Sequence, residues 1–403
     1  MTTHPKFILG YTAAVVISAL SSGTVFANTV YDSISQGKVN ADFNLRYEGV
    51  QQDNAVGDAS ALTFRTRIGY TSADYEGWSF KIEMEDNRIV LGQGDYTVGP
   101  TGYNLGQYSV IADPEFTELD QGFIQYKSDN LTLKVGRQVI TLDGHRFVGH
   151  VGWRQDRQTF DAATVIFSPI KDLKIQYSHV TDRNRIFAEI ADQDSKDHLF
   201  NASYVTSLGK LVAYGYLLER ELPVSNSLDT YGVSFSGKKV SDDLTWLYHA
   251  EVASQKSDVD AVSFSANYLF AELGAQYSGV TAKLGYEVLG SDNGSYGFAT
   301  PLATLHKFNG WSDQFLATPQ QGLTDIYLSA STKALGGNLL AVYHKFDADD
   351  ASETVDDLGS EINLQYTTKI ASHYTAAIKY AKYNGESGRV DADKIWVWLS
   401  TKF

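Results

Sequence analysis

Along most of its length this chain alternates between apolar and polar residues. In KVNADFNLRYEG, Val39, Ala41, Phe43, Leu45 and Tyr47 share one face, and Asn40, Asp42, Asn44, Arg46 and Glu48 share the other. A period of two is that of a β-strand. Ions in mid-strand opposite aromatic and aliphatic residues place lipid on one side and water on the other. LTFRTRIGY repeats the pattern, with Leu62, Phe64, Ile68 and Tyr70 opposite Thr63, Arg65 and Arg67. WSFKIEME does so again, with Trp78, Phe80, Ile82 and Met84 opposite Lys81, Glu83 and Glu85.

Eighteen such segments are predicted, near residues 39–50, 61–71, 77–87, 118–127, 131–138, 159–168, 173–182, 197–206, 210–220, 228–237, 243–254, 258–274, 279–290, 322–332, 336–347, 358–368, 372–384 and 392–403. A tilted strand of about 10 residues, rising about 3.3 Å each, crosses the ~25 Å apolar band of an outer membrane. Short turns such as SADYEG, SPIKD, TSLG and KIAS alternate with connections that are usually longer, the largest being 88–117, 139–158 and 291–321. Barrels of this kind keep short turns in the periplasm and long loops outside. An even count puts both termini in the periplasm, and pairing the last strand with the first leaves no open edge. The expected fold is all-β: a single 18-stranded antiparallel transmembrane β-barrel over residues 28–403.

The chain ends on DKIWVWLSTKF, where Ile395, Val397, Leu399, Thr401 and Phe403 share one face and Lys394, Trp396, Trp398, Ser400 and Lys402 the other. An apolar terminal strand closing on Phe403 resembles the signal that bacterial outer-membrane proteins present to the barrel-insertion machinery. The alternative, a strand of a soluble β-sandwich, expects fewer lone Arg and Glu opposite an aromatic-rich face.

The first 27 residues follow another logic. Lys6 precedes the apolar run FILGYTAAVVISAL, and Val25-Phe26-Ala27 offers small residues at a cleavage site, so residues 1–27 read as a Sec signal peptide. Removing them leaves 403 − 27 = 376 residues with 33 − 1 = 32 basic and 48 acidic groups, a net charge of −16. That balance argues against nucleic acid as a partner. With no Cys there is no disulfide and no thiolate metal site. His179, His249, His344 and His373 lack a second ligand at metal spacing, and no cofactor is expected. DADDASETVDD (347–357) lacks the Gly and spacing of an EF-hand loop and reads as a solvated extracellular loop facing lipopolysaccharide. No G-x-S-x-G elbow or other activated nucleophile appears, so an enzyme is not expected.

Two stretches go beyond barrel grammar: KVGRQVITLDGHRFVGHVGWRQDRQTFDAATV (134–165) and FATPLATLHKFNGWSDQFLATPQQGLTDIYLS (298–329). Through GRQ (136–138), GWRQ (152–155), QTFDA (158–162) and TPLATLHKFNGW (300–311) the chain resembles the alginate export family of outer-membrane barrels. The resemblance implies a monomeric 18-stranded barrel with an arginine-rich lumen for a polyuronate.

The candidate pore-lining residues are Arg46, Arg65, Arg67, Lys81, Arg137, Arg154, Arg157 and Lys283, interleaved with Glu83, Glu85, Asp161, Glu287 and Asp325. Guanidinium groups in a confined pore attract carboxylates bidentately; alternatively, Arg137, Arg146, Arg154 and Arg157 brace a loop through Asp143, Asp156 and Asp161. Phe308, Trp311 and Phe315 offer sugar-stacking faces or, more simply, pack their loop onto the wall. The function expected is a passive outer-membrane channel for hydrophilic, anionic solutes such as uronate oligosaccharides or polysaccharide. A general, weakly selective porin for small solutes is the alternative.

Overall fold

The computed structural model describes residues 28–99, 103–220, 226–260 and 262–403; the expected signal peptide lies outside the described residues. After a short helix α1 (Val30–Ser35) come β1 (Lys38–Gln52), β2 (Ala59–Thr71), β3 (Trp78–Asp95), β4 (Phe116–Lys127), β5 (Leu131–Gln138) and β6 (Thr159–Phe167). Then follow β7 (Leu173–Asn184), β8 (Gln193–Val205), β9 (Lys210–Arg220), β10 (Asn226–Ser241), β11 (Leu244–Val259) and β12 (Val262–Tyr277). The last six are β13 (Val280–Leu289), β14 (Leu323–Ala334), β15 (Gly337–Asp347), β16 (Asp357–Ile370), β17 (Tyr374–Asn384) and β18 (Ala392–Lys402).

Each strand pairs antiparallel with its chain neighbours, and β18 pairs with β1, so the 18-stranded sheet closes on itself. At the seam the Phe403 amide donates to the Ala41 carbonyl at 2.9 Å, and its ring meets Phe43 edge-on. The alternation sorts as the sequence requires. Ile395, Val397 and Leu399 are exposed on the outer wall, while Lys394 and Trp396 are buried inside.

Most boundaries shift by a few residues from the periodicity, and two of the shifts have a visible cause. β3 runs to Asp95, past the expected end at 87, because Asp95 and Gly94 pair with Ser60 and Ala61 through a register shift that the polar GQGD stretch does not advertise. β12 starts at Val262 rather than 258, since residues 256–259 complete β11 and pair back with β10.

A closed barrel has no second sheet to pack against, so its apolar core must come from loops turned inward. Ile140, Leu142, Phe147 and Val148 from the 139–158 loop join Phe298, Leu302 and Phe315 from the 291–321 loop against Tyr214, Tyr216 and Tyr268 of the inner wall. Phe147 alone lies 5.2 Å from Tyr214, 5.3 Å from Tyr268 and 6.0 Å from Phe298 between ring centroids. Leu302 takes a bridge position beside Val148, and Gly149, where a Cβ would collide with Thr304, lets the two loops touch.

Candidate functional site

Wall strands present charges, and the loops answer them. On the β1–β4 side, Arg65 donates to Asp42 at 2.7 Å and Arg67 to Glu85 at 2.7 Å. Lys81 pairs with Glu83 at 2.9 Å. Arg67 and Glu85 sit directly opposite each other in the β2–β3 register, so the pair follows from strand pairing alone.

The 139–158 loop adds three arginines, each bound to carboxylates from elsewhere. Arg154 donates to both Glu48 oxygens at 3.0 and 3.2 Å and to Asp313 of the 291–321 loop at 3.0 Å. Burial opposes its charge, but Glu48, Asp113 and Asp313 more than offset that and hold the guanidinium above its ordinary pKa. Arg157 binds Asp120 and, at 2.7 Å, Glu83. Arg146 donates to Glu287 at 2.7 Å and has Phe308 4.7 Å from its guanidinium carbon. Arg46 joins Asp113, just before β4, to the Trp153 carbonyl at 2.5 Å. The expected internal braces to Asp143 and Asp156 are thus replaced by bonds to the wall and to other loops, which draw the loops inward.

Arg137 and Asp161 stand apart from the pore-lining expectation. They pair with each other at 2.8 Å, and the register sets Arg137 opposite Gly122 and Asp161, on the outward side shared by Ile124, Val135 and Val165. Parity is the reason: with Lys134 inside and Val135 outside, Arg137 must follow Val135.

The inward segment 306–313 is pinned to the wall at several points. The backbone amides of Trp311 and Ser312 both donate to Glu361 of β16. This approach needs Gly310, whose φ is 86° and where a Cβ would strike the Glu361 carboxylate. His306 stacks on Trp153, with ring centroids 4.3 Å apart. Its Nδ1 donates to Asp313 and its Nε2 accepts from Lys379 of β17, each at 2.7 Å. The Lys379 ammonium lies 3.8 Å from the Trp311 ring centre and 4.2 Å from that of Trp153. Phe315 packs on Phe346 and Tyr383, and Phe308 and Trp311 face open space.

That open space is one of several cavities among the described residues, two of which meet the loop. An inner one of about 480 Å³ lies on the short-turn side and is lined by Glu272, Lys283, Glu287, Asp325, Phe308 and Trp311 among others. Here Lys283 pairs with Glu272 at 3.0 Å, and Asp325 with His344 at 2.9 Å. An outer cavity of about 340 Å³ is lined by Arg154, Arg185, His306, Asp313 and Lys394 with several apolar residues. The two share no lining residue. Lys307, Phe308, Asn309 and Trp311 face the inner cavity, whereas His306, Ser312 and Asp313 face the outer, so this segment is the wall between them.

Sequence reasoning missed Lys379, Trp153, Glu361 and Asp113, which lie far apart in the chain and carry no motif. Trp153 and Trp311 were nevertheless inside quoted stretches, GWRQ and TPLATLHKFNGW, and those two stretches meet in the lumen.

Residues 35–288 match the family model described as alginate export. No curated protein matches the chain by sequence. The crystal structure of Pseudomonas aeruginosa OpdK with vanillate is similar, with TM-score 0.71 at 12% identity, covering 91% of this chain and 98% of that one. So is that of Acinetobacter baumannii OccAB1, with TM-score 0.73 at 12% identity and coverage of 92% and 97%. Pseudomonas aeruginosa OpdL gives TM-score 0.69 at 15% identity with coverage of 92% and 99%. At such identities the likeness is one of fold.

Proposed function

The chain belongs to the alginate export family, and from that premise and the lumen's geometry we propose a narrow passive channel for small hydrophilic anions, the size of uronate monomers and short oligomers. The chain is an outer-membrane barrel of the channel type and not an enzyme. One observation supports the choice of solute. Two cavities of about 340 and 480 Å³ are divided by a wall of loop residues, a volume range suited to small molecules and too small for a polymer without displacement of the whole plug.

Transit would proceed by exchange of partners. Arg154 already binds two carboxylates, and a solute carboxylate arriving at the outer cavity can take the place of Asp313, which accepts one bond from Arg154 at 3.0 Å. Substituting for Asp313 frees the 306–313 segment at one of its anchors, and the solute then meets Arg146, Lys283 and Lys307 around the inner cavity. The acidic partners return to the arginines behind it, which limits residence.

The pairing of nearly every predicted arginine with a carboxylate favours the second reading, a weakly selective porin for small solutes. Reversal potential in a salt gradient, with galacturonate and neutral sugars added in turn, separates the two: anion preference with block by galacturonate supports the proposal, and an unselective current indifferent to both supports the porin. Monomeric insertion among lipid and lipopolysaccharide, guided by Phe403 through the barrel-insertion machinery, belongs to the same proposal.

A further inference from the structure

Among the arginines of the two cavities, Arg185 differs from the rest. Arg154 and Arg146 each hold carboxylates, and Lys394, also on the outer cavity, lies 3.4 Å from Asp313. Arg185 makes no ion pair within 4 Å among the described residues. One of its guanidinium nitrogens donates to the Gln158 side chain and, at 3.0 Å, to the Pro301 carbonyl. Neither partner carries charge, and no hydrogen bond engages Nε or Nη2. The side chain is built in place: its own backbone amide donates to Asp192 at 2.8 Å, and Asp156 receives the amide of Ala188 at 2.9 Å.

The rest of the outer cavity tells what else it prefers. Ile186 and Phe187 follow Arg185 directly in the chain and line the same space, with Leu305, Leu316 and Val110. Apart from Gln52, His306, Ser312 and Gln314, the uncharged lining is apolar. Arg185 is half-buried, and a guanidinium there with no carboxylate in ion-pair contact gains from an anion. A polyhydroxylated ring pressed against this lining loses water contacts with few partners to replace them. Burial, with Arg183 nearby and against the opposing pull of Asp192, lowers the Arg185 pKa to about 10, so the group stays charged at neutral pH while its side-chain partners are neutral.

We infer that the outer cavity is a recognition site for a small monocarboxylate with an apolar body, its carboxylate taken by Arg185 and its body by Phe187 and the neighbouring aliphatic side chains. This rests on the channel part of the reading above and departs from its solute: the acid selected from outside is apolar-bodied in preference to a sugar acid.

The test uses the full-length protein refolded in planar bilayers, with benzoate, galacturonate or benzamide added on the loop side. Benzoate should interrupt the potassium chloride current at a concentration at least about tenfold lower than galacturonate or benzamide, the scale of one charge-assisted bond plus apolar contact. R185Q should raise the benzoate value to that of galacturonate, with R185K recovering part of the difference. Should R185Q not fold, F187A serves, weakening benzoate and leaving galacturonate as it was. Galacturonate blocking as well as benzoate, or benzoate block unmoved by R185Q or F187A, overturns the inference. A protein that passes neither chloride nor any carboxylate fails the channel reading itself, a distinct result.

Discussion

His306 Nε2 meets the Lys379 ammonium at 2.7 Å, joining a loop that divides the lumen to a strand of its wall. The tautomer is set by the partners: with Asp313 accepting from Nδ1, Nε2 must be the acceptor for Lys379. A proton on Nε2 would leave two donors facing each other.

This contact makes the plug sensitive to acid. Burial, reinforced by Lys379, lowers the His306 pKa from 6.5 to about 3. Between those values the undocked loop takes up a proton that the docked loop refuses. Docking is therefore fully stable above pH 6.5 and weakens as pH falls toward 3. Asp313 acts in the same direction at lower pH: burial raises its pKa, but His306 and Lys394 more than offset this and hold it well below 3.8, so its contribution is lost only under stronger acid. Single-channel open probability should rise several-fold between pH 7 and pH 4. H306Q keeps a donor for Asp313 and an acceptor for Lys379 without titrating there, and its open probability should be flat over that interval.

Replacing Arg154 with Met should loosen the loops. The change leaves Glu48 with only Arg46 at 3.5 Å and Asp313 with only Lys394 at 3.4 Å as cations; orphaning one side of a buried ion pair outright costs about 3–5 kcal/mol, which bounds the loss from above. Larger, noisier conductance steps and faster protease cleavage within 302–314 are expected, with the heat-resistant barrel retained. Steps identical to those of the unaltered protein would show that Arg154 does not hold the plug.

Neutralising Arg65 and Arg67 together, as R65Q/R67Q, should move the reversal potential toward cations, because Glu85 then faces the lumen uncompensated and Asp42 keeps only the exposed Lys402 at 3.1 Å. Arg137 provides the contrast. Paired with Asp161 on the outward side, it should leave the reversal potential where it was when changed to Gln.

Deleting Phe403 removes the last backbone pair at the β1–β18 seam and its edge contact with Phe43. The fraction of chain recovered as folded barrel in the outer membrane should drop several-fold, while the same variant refolded in detergent keeps its strand content. Equal recovery of both chains would remove Phe403 from the assembly step.

Much of the barrel was legible because a strand's period is short and local: Leu45 out and Arg46 in can be read from adjacent letters. Lumenal placement of Arg46, Arg65, Arg67, Glu83 and Glu85 followed from the same parity, and misplacing Arg137 came from reading charge in place of parity. Partner choice was not legible. Arg154 finds Glu48 and Asp313 more than 100 residues away in either direction, and no periodicity encodes which loop turns inward. Arg185 escaped notice for a related reason. Its distinction is that no carboxylate among the described residues reaches its guanidinium, a property of the folded loops and not of the RIF tripeptide in which it sits.

The central claim is that inward loops divide the lumen into two small cavities. Single-channel conductance in the presence of neutral polymers of graded size tests it most directly. At neutral pH the account predicts a small conductance that polymers larger than a disaccharide leave unaltered, since they cannot enter. Entry of polymers of oligosaccharide size, with the large steady current of an open 18-stranded barrel, would contradict it.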